Sequence, residues 1–168
     1  MKNELKVSTP GDRDITLTRT FDAPRRRVYD AHTRPELVQR WLLGPPGWTM
    51  PHCEIDLKPG GRFRYLWQHA DGRKMGLSGV YRELTPGERI IHTEQFDDDW
   101  TAGETLVTTV FTEQGGKTLM TSTIRYASKE AREGALRTGM ESGLASTYDL
   151  LEKLLGSQTA QGSAQVGA

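Results

Sequence analysis

The most regular hydrophobic pattern of the chain lies near the C-terminus, between Ser128 and Leu155. Apolar or small residues recur there in steps of three and four, at Leu136, Met140, Leu144, Thr147, Leu151 and Leu154. Charged residues such as Asp149 fall on the opposite side. This spacing predicts one amphipathic helix of roughly 28 residues, capped by Ser128 at its N-terminus and ended by Gly156.

Upstream of that helix, apolar and polar residues alternate in short stretches, which is typical of strands with one buried face. The first such strand is 15–21, where Arg19 interrupts the apolar side and is expected to pair locally near the strand end. Six further strands are predicted at 50–57, 62–68, 75–84, 89–96, 104–112 and 117–126. Their even spacing and the tight turn signals between them favour an antiparallel meander.

Two short helices are predicted between the first and second strands. Pro24 suits the first turn of one helix, because proline lacks the N–H that would be unpaired there. The second helix is predicted to begin with a capping box at Thr33, whose hydroxyl is followed three residues later by Glu36. Gly44–Gly47, with two prolines inside it, ends the second helix.

Composition narrows the function. The chain has 168 residues, and its 22 basic and 22 acidic side chains cancel, which argues against a nucleic-acid partner. No apolar run is long enough for a membrane span, and the N-terminus lacks the pattern of a signal peptide. Cys53 is the single cysteine, so no internal disulfide forms. We therefore expect a cytoplasmic protein with one domain at 13–156, a flexible extension at 1–12 and a disordered tail at 157–168.

Several short motifs carry a resemblance to a known family. They lie at 19–24 (RTFDAP), 33–36 (TRPE), 56–61 (DLKPGG), 79–86 (GVYRELTP) and 139–155, together with Val28 and Trp41. With these motifs the chain resembles the START-like (SRPBCC) superfamily, and within it proteins similar to the activator of the ninety-kilodalton heat-shock protein's ATPase. The resemblance implies an α+β helix-grip fold, in which a curved antiparallel sheet of about seven strands wraps around the long C-terminal helix. It also implies a connection to the stress response.

The chain departs from the family pattern at two positions. Leu144 follows Gly143 where such proteins often have tryptophan, and Glu94 replaces a second frequent tryptophan on a strand. The resemblance then implies a larger cavity and a carboxylate directed towards it.

The middle of the predicted helix carries two glycines, Gly139 and Gly143, each of which costs about 1 kcal/mol relative to alanine. Either the sheet packs closely against the helix at these positions, or space is left for a ligand. His92 and Glu94, two residues apart on one strand face, leave three alternatives open: a structural pair, a ligand anchor, or a catalytic or metal-binding pair.

A small-molecule-binding domain is the favoured hypothesis, with a hydrophobic or aromatic ligand between helix and sheet. Its expected lining is Trp41, Trp48, Phe63, Tyr65, Trp67, Tyr81, His92, Glu94, Phe96, Met140, Gly143, Leu144 and Thr147. The alternatives are an interaction protein that regulates a chaperone ATPase, and an enzyme of the cyclase or hydrolase kind that uses His92 and Glu94. No catalytic motif, metal-ligand spacing or cofactor fingerprint is present, so a non-enzymatic role without a cofactor is favoured. A monomer and a homodimer both remain open.

Overall fold

The computed structural model describes the backbone of residues 3–167 and the side chains of residues 3–157. The strands are β1 (Lys6–Ser8), β2 (Asp14–Phe21), β3 (Trp48–Ile55), β4 (Arg62–His69), β5 (Lys74–Thr85), β6 (Arg89–Phe96), β7 (Thr105–Gln114) and β8 (Lys117–Arg125). The helices are α1 (Arg25–Thr33), α2 (Pro35–Trp41), α3 (Lys129–Arg137) and α4 (Met140–Gly167). Among the described residues, no helix combines the length and apolar character needed to cross a membrane.

All the strands join one curved antiparallel sheet in the order β1-β2-β8-β7-β6-β5-β4-β3. Strands β3 to β8 form the predicted meander, and β2 pairs with the last strand, β8. Helices α1 and α2 connect β2 to β3, and α4 contributes Leu151, Leu154 and Leu155 to the core that the sheet encloses. The helix-grip fold predicted from the sequence is confirmed.

The sheet contains one strand more than the seven or so that were predicted. The additional strand, β1, lies within the segment 1–12 that the sequence assigned to a flexible extension, and its Val7 pairs with Leu17 of β2. A strand of three residues with one apolar side chain is too short to produce a recognisable alternation.

The C-terminal helix is not continuous, which corrects the prediction of a single helix from Ser128. Ser128 is the N-cap as predicted, and its hydroxyl accepts the N–H of Ala131 at 3.0 Å, but α3 ends at Arg137. Gly139 then adopts a φ of +77°, a left-handed conformation that interrupts the helical hydrogen-bond ladder. The apolar periodicity survives because both segments turn their apolar side towards the same interior.

The end of α4 also differs from the prediction. Gly156 does not end the helix, because the helical backbone continues to Gly167. The tail predicted at 157–168 therefore falls almost entirely on side chains that lie outside the described residues.

The predicted capping box at the start of α2 is wrong. The N-cap residue is Arg34, without a side-chain cap, and the hydroxyl of Thr33 donates instead to the carbonyl of Tyr29 at 3.1 Å. Because α1 runs through Thr33, that hydroxyl is already committed to the last turn of the preceding helix.

Arg19 occupies the middle of β2 and is buried, with 2% of its surface exposed. It does not pair locally, as the sequence suggested. Its guanidinium lies 2.9 Å from the carboxylate of Asp149 and 3.5 Å from that of Glu152, both on α4. The long helix is thus joined to the sheet by an ion pair beside the apolar contacts of Leu151.

Candidate functional site

A cavity of about 680 Å³ lies between the N-terminal half of α4 and the concave face of the sheet. Four of the residues that line it are exposed to solvent: Pro45, Thr138, Gly139 and Ser142. They come from the loop after α2 and from the junction of α3 and α4. The mouth of the cavity therefore lies between these two segments, and the remaining lining residues form its walls and floor.

Strand alternation determines which side chains reach the floor. On β6, His92, Glu94 and Phe96 point to the cavity, and the antiparallel register sets Glu94 opposite Thr105 and His92 opposite Val107 of β7. The next row runs through Thr109 of β7, Ser122 of β8 and Leu17 of β2. The floor is therefore a patchwork of apolar side chains and hydroxyl groups.

Most of the residues predicted to bind a ligand line this cavity. The ones brought together there are Trp41, Trp48, Trp67, His92, Glu94, Phe96, Met140, Gly143, Leu144 and Thr147. Their role in binding stays a prediction. They meet in one cavity because the helices and strands that carry them surround it.

Phe63, Tyr65 and Tyr81 do not line the cavity. They are buried beside it, and the ring of Phe63 lies 4.9 Å from Tyr65, 5.2 Å from Tyr81 and 5.3 Å from His92. This aromatic cluster packs against the ring of His92. The sequence predicted correctly that these three residues lie on the inner face of the sheet. It did not indicate that this part of the face is filled by the core and is not open to the cavity.

Neither Gly139, at the break between α3 and α4, nor Gly143, in the first turn of α4, mediates close packing. A Cβ atom at Gly143 would meet only the ring of Pro45, at 3.9 Å, and one at Gly139 would meet nothing within 4 Å. The alternative in which the sheet packs against the helix backbone at these positions is therefore wrong. Helix α4 packs against α2 and α1, and the cavity occupies the space between α4 and the sheet.

Thr147 fixes one side of the mouth. Its hydroxyl donates to the carbonyl of Gly143 at 2.9 Å and accepts the N–H of Gly44 at 2.9 Å. Trp67 adds a second tie, because its indole N–H donates to the carbonyl of Leu42 at 2.7 Å. The loop after α2 is thereby attached both to the helix and to the sheet, and Thr147 is already engaged by the protein.

His92 and Glu94 form a hydrogen-bonded pair on the floor, with 3.0 Å between the imidazole Nε2 and the carboxylate Oε2. Nδ1 of His92 is buried and has no partner among the described residues. The side chain of Glu94 keeps 24% of its surface exposed to the cavity. Of the pair, Glu94 is therefore the more exposed group.

His32 is a lining residue that the sequence analysis missed. It lies on α1 between the rings of Trp41 and Phe111, at centroid distances of 4.9 and 5.2 Å, and its Nδ1–H donates to the carbonyl of Val28 at 2.7 Å. Burial lowers the pKa of His32 to about 4, although the hydrogen bond to Val28 acts in the opposite direction. Its position four residues after the apolar Val28, on the same face of α1, is the signal that would have identified it.

One group of the other missed residues comes from β7, β8 and the segments that follow β6 and β8. It includes Trp100, Thr101, Thr105, Thr109, Ser122 and Tyr126. Thr105 and Thr109 alternate with the buried Val107, so the period of two marks them as inward-facing despite their hydroxyl groups. The hydroxyl of Tyr126 approaches the sulfur of Met140 at 3.6 Å, and burial raises the pKa of Tyr126.

The acidic loop after β6 is held by protein contacts. Asp97 forms two hydrogen bonds to Arg64, at 2.7 and 2.6 Å, and this pairing lowers the pKa of Asp97. Asp99 accepts the N–H of Gly103 and a side-chain N–H of Gln95, both at 2.7 Å. Within the described part of the chain, no three His, Cys, Asp or Glu side chains are grouped so that they could hold a metal ion.

Comparison with known families gives one match, to the description "Activator of Hsp90 ATPase homolog 1-like protein", over residues 22–156. A search of curated proteins finds no match. Several solved structures are similar over nearly the whole chain. One is a protein from Rhodobacter sphaeroides, with 30% sequence identity, a TM-score of 0.86, and coverage of 92% of this chain and 99% of that chain.

Two further structures show the same likeness. Protein NE0264 from Nitrosomonas europaea has 25% identity and a TM-score of 0.80, and the match covers 90% of this chain and 99% of that chain. Protein Ms6760 from Mycobacterium smegmatis has 25% identity and a TM-score of 0.76, with coverage of 89% and 97%.

Proposed function

The chain belongs to the family of activator of Hsp90 ATPase homolog 1-like proteins, and within that family we propose that it binds a small hydrophobic or aromatic molecule. The observation that carries the proposal is the cavity of about 680 Å³ under α4. Ligand pockets typically measure roughly 300–1,000 Å³ and combine mostly apolar walls with a few polar groups. The volume and the lining both fall within that description.

The energetics of packing support the proposal. Protein interiors are close-packed, and a cavity of this size deprives its lining side chains of dispersion contacts. Leu144 and Met140, which line the cavity, are only half-buried, whereas Leu151 and Leu154 farther along α4 are buried in the core. A hydrophobic ligand would complete the burial of Leu144 and Met140.

The geometry gives less support to a cyclase or hydrolase that uses His92 as a general base. A general base needs a free lone pair within hydrogen-bond reach of the substrate. In His92, Nε2 is engaged by Glu94, and Nδ1 is buried without a partner among the described residues. Binding is therefore the function that the arrangement favours.

Filling the cavity provides the direct test. We expect Leu144→Trp to weaken binding of the neutral dye N-phenyl-1-naphthylamine by roughly tenfold or more, about 1.4 kcal/mol, because the indole occupies part of the ligand space. Lys153→Trp is the matched control, since it adds the same indole to an exposed position of the same helix. Fluorescence titration gives the affinity, and a thermal melt verifies that both variants are folded.

Failure of the wild-type protein to take up the dye would overturn the proposal, as would a folded Leu144→Trp variant that binds the dye as tightly as wild type. Native mass spectrometry of the freshly purified protein adds a second measurement. A retained small molecule supports the proposal. A stoichiometric complex with a chaperone in place of a small molecule would favour the regulatory hypothesis instead.

A further inference from the structure

The cavity lining has an unusual charge composition. All of its residues belong to the described part of the chain, and they include one carboxylate, that of Glu94, but no lysine or arginine. The nearest balancing group is the imidazole of His92. A carboxylate in an apolar environment is stabilised by an opposite charge or by hydrogen-bond donors that replace lost water.

The carboxylate of Glu94 has unused acceptor capacity. An ionised carboxylate has two oxygens with about four acceptor sites, and the described contacts of Glu94 supply only the bond from His92 to Oε2. Oε1 has no hydrogen bond to the protein among the described contacts and is not fully buried, so it is accessible from the cavity. The site can therefore accept at least one further donor from a bound molecule.

The neighbouring hydroxyl groups are engaged within the protein. Thr109 and Ser122 hydrogen-bond to each other at 3.1 Å, and the hydroxyl of Thr105 donates to the backbone carbonyl of Glu94 at 3.5 Å. Glu94 consequently remains the polar group on this floor with the most capacity for a ligand.

Aromatic rings form much of the surrounding wall. They belong to Trp41, Trp48, Trp67, Phe96, Trp100 and Tyr126. The faces of such rings carry partial negative charge and attract cations, with tryptophan the strongest of the three residue types. A carboxylate and several tryptophans around one apolar space therefore both favour a positively charged ligand.

From these observations we infer that the ligand is an organic cation, an apolar or aromatic molecule that bears a protonated amine and donates from it to Glu94. The inference rests on the proposed function and adds the chemical class of the ligand. An anionic ligand would meet the carboxylate without a compensating cation in the wall. A neutral alcohol or phenol would gain the hydrogen bond but not the charge interaction.

Three probes with the same ring test the charge preference: 1-naphthylmethylamine, 1-naphthalenemethanol and 1-naphthylacetic acid. We expect wild type to bind the amine roughly tenfold or more tighter than the alcohol, because the ammonium adds a charge–charge attraction to its hydrogen bond with Glu94, and to bind the acid most weakly. Isothermal titration calorimetry at pH 7.5 measures all three affinities.

Glu94→Gln then isolates the carboxylate, since glutamine keeps its shape and removes its charge. The variant should bind the amine and the alcohol within about threefold of each other, while its affinity for the alcohol stays near that of wild type. Glu130→Gln, an exposed acidic residue on α3 outside the cavity, is the control and should retain the preference for the amine.

The outcomes separate the two proposals. If no naphthalene probe binds to wild type, the proposed function itself fails. If the alcohol binds and the amine is not preferred, or if Glu94→Gln keeps the preference, the inference about the cation is overturned while the binding function stands. The wild-type comparison does not depend on the variant being folded.

Discussion

Two charged residues on the inner face of the sheet show that the sequence around a residue predicts which side it faces but not which residue it contacts. Arg19 interrupts an otherwise apolar strand face and Glu94 lies beside His92 and Phe96 on another, and the alternation places both charged residues inside. The sequence could not supply their partners, because Asp149 lies 130 positions after Arg19 and meets it only when α4 lies across the sheet. The side that a residue faces is encoded locally, whereas the contact it makes depends on the packing of distant elements.

The ion pair of Arg19 leads to a prediction. Asp149→Ala should reduce the free energy of unfolding by roughly 1–3 kcal/mol, because it leaves a buried guanidinium with only the weaker contact to Glu152. Glu141→Ala, an exposed change on the same helix, should stay within about 0.5 kcal/mol. Urea denaturation of both variants measures the difference, and equal midpoints would mean that Glu152 alone suffices for Arg19.

At the scale of elements, the break between α3 and α4 shows the limit of periodicity. The steps of three and four continue through Gly139 in the sequence, although its left-handed backbone separates α3 from α4. A glycine in a helical pattern is ambiguous, since it can lie within the helix or end it. The strands were easier to predict, because turn residues such as those at 59–61 and 85–87 mark their ends unambiguously.

Two glycine substitutions distinguish the break from the helix interior. Gly139→Ala should destabilise the protein by about 1–2 kcal/mol, because alanine is strained at a φ of +77° although its Cβ meets no atom within 4 Å. Gly134→Ala, inside α3 with only the end of Arg137 nearby, should stabilise it by about 0.5–1 kcal/mol. Thermal melts of the two variants are the measurement, and shifts of the same sign would contradict a break at Gly139.

At the scale of the whole molecule, the order of strands and helices was enough to predict the fold and the approximate position of the cavity. The depth of that cavity was not predictable. Phe63, Tyr65 and Tyr81 share the inner face of the sheet with the cavity-lining residues, yet they pack into a solid cluster. Depth depends on the distance between α4 and the sheet, which results from the packing of several distant elements and has no signature in one segment.

The half-buried His32 couples the stability of the whole molecule to pH. Because its pKa falls from an ordinary 6.5 to about 4 in the folded state, the unfolded chain binds a proton more readily between these values. Stability should therefore fall as the pH decreases from about 6.5 to about 4, by an amount of order 3 kcal/mol from this group. His32→Leu should flatten that dependence, whereas His52→Gln, at an outer and more exposed position, should leave it unchanged.

Chemical denaturation at several pH values measures this dependence. The interpretation would be wrong if His32→Leu lost stability with falling pH as steeply as wild type does. His92 is the other histidine that acts electrostatically on His32, so the variant should also be compared with His92→Gln.

The construction of the cavity mouth separates the rate at which a ligand enters and leaves from the choice of that ligand. Its exposed rim consists of Pro45, Thr138, Gly139 and Ser142, none of which carries a large side chain, while Glu94 and the indole rings lie deeper. A guest crosses the rim during entry and exit but does not rest there. Bulk added to the rim would slow arrival and departure by similar factors, so residence time can change over evolution while the choice of guest does not.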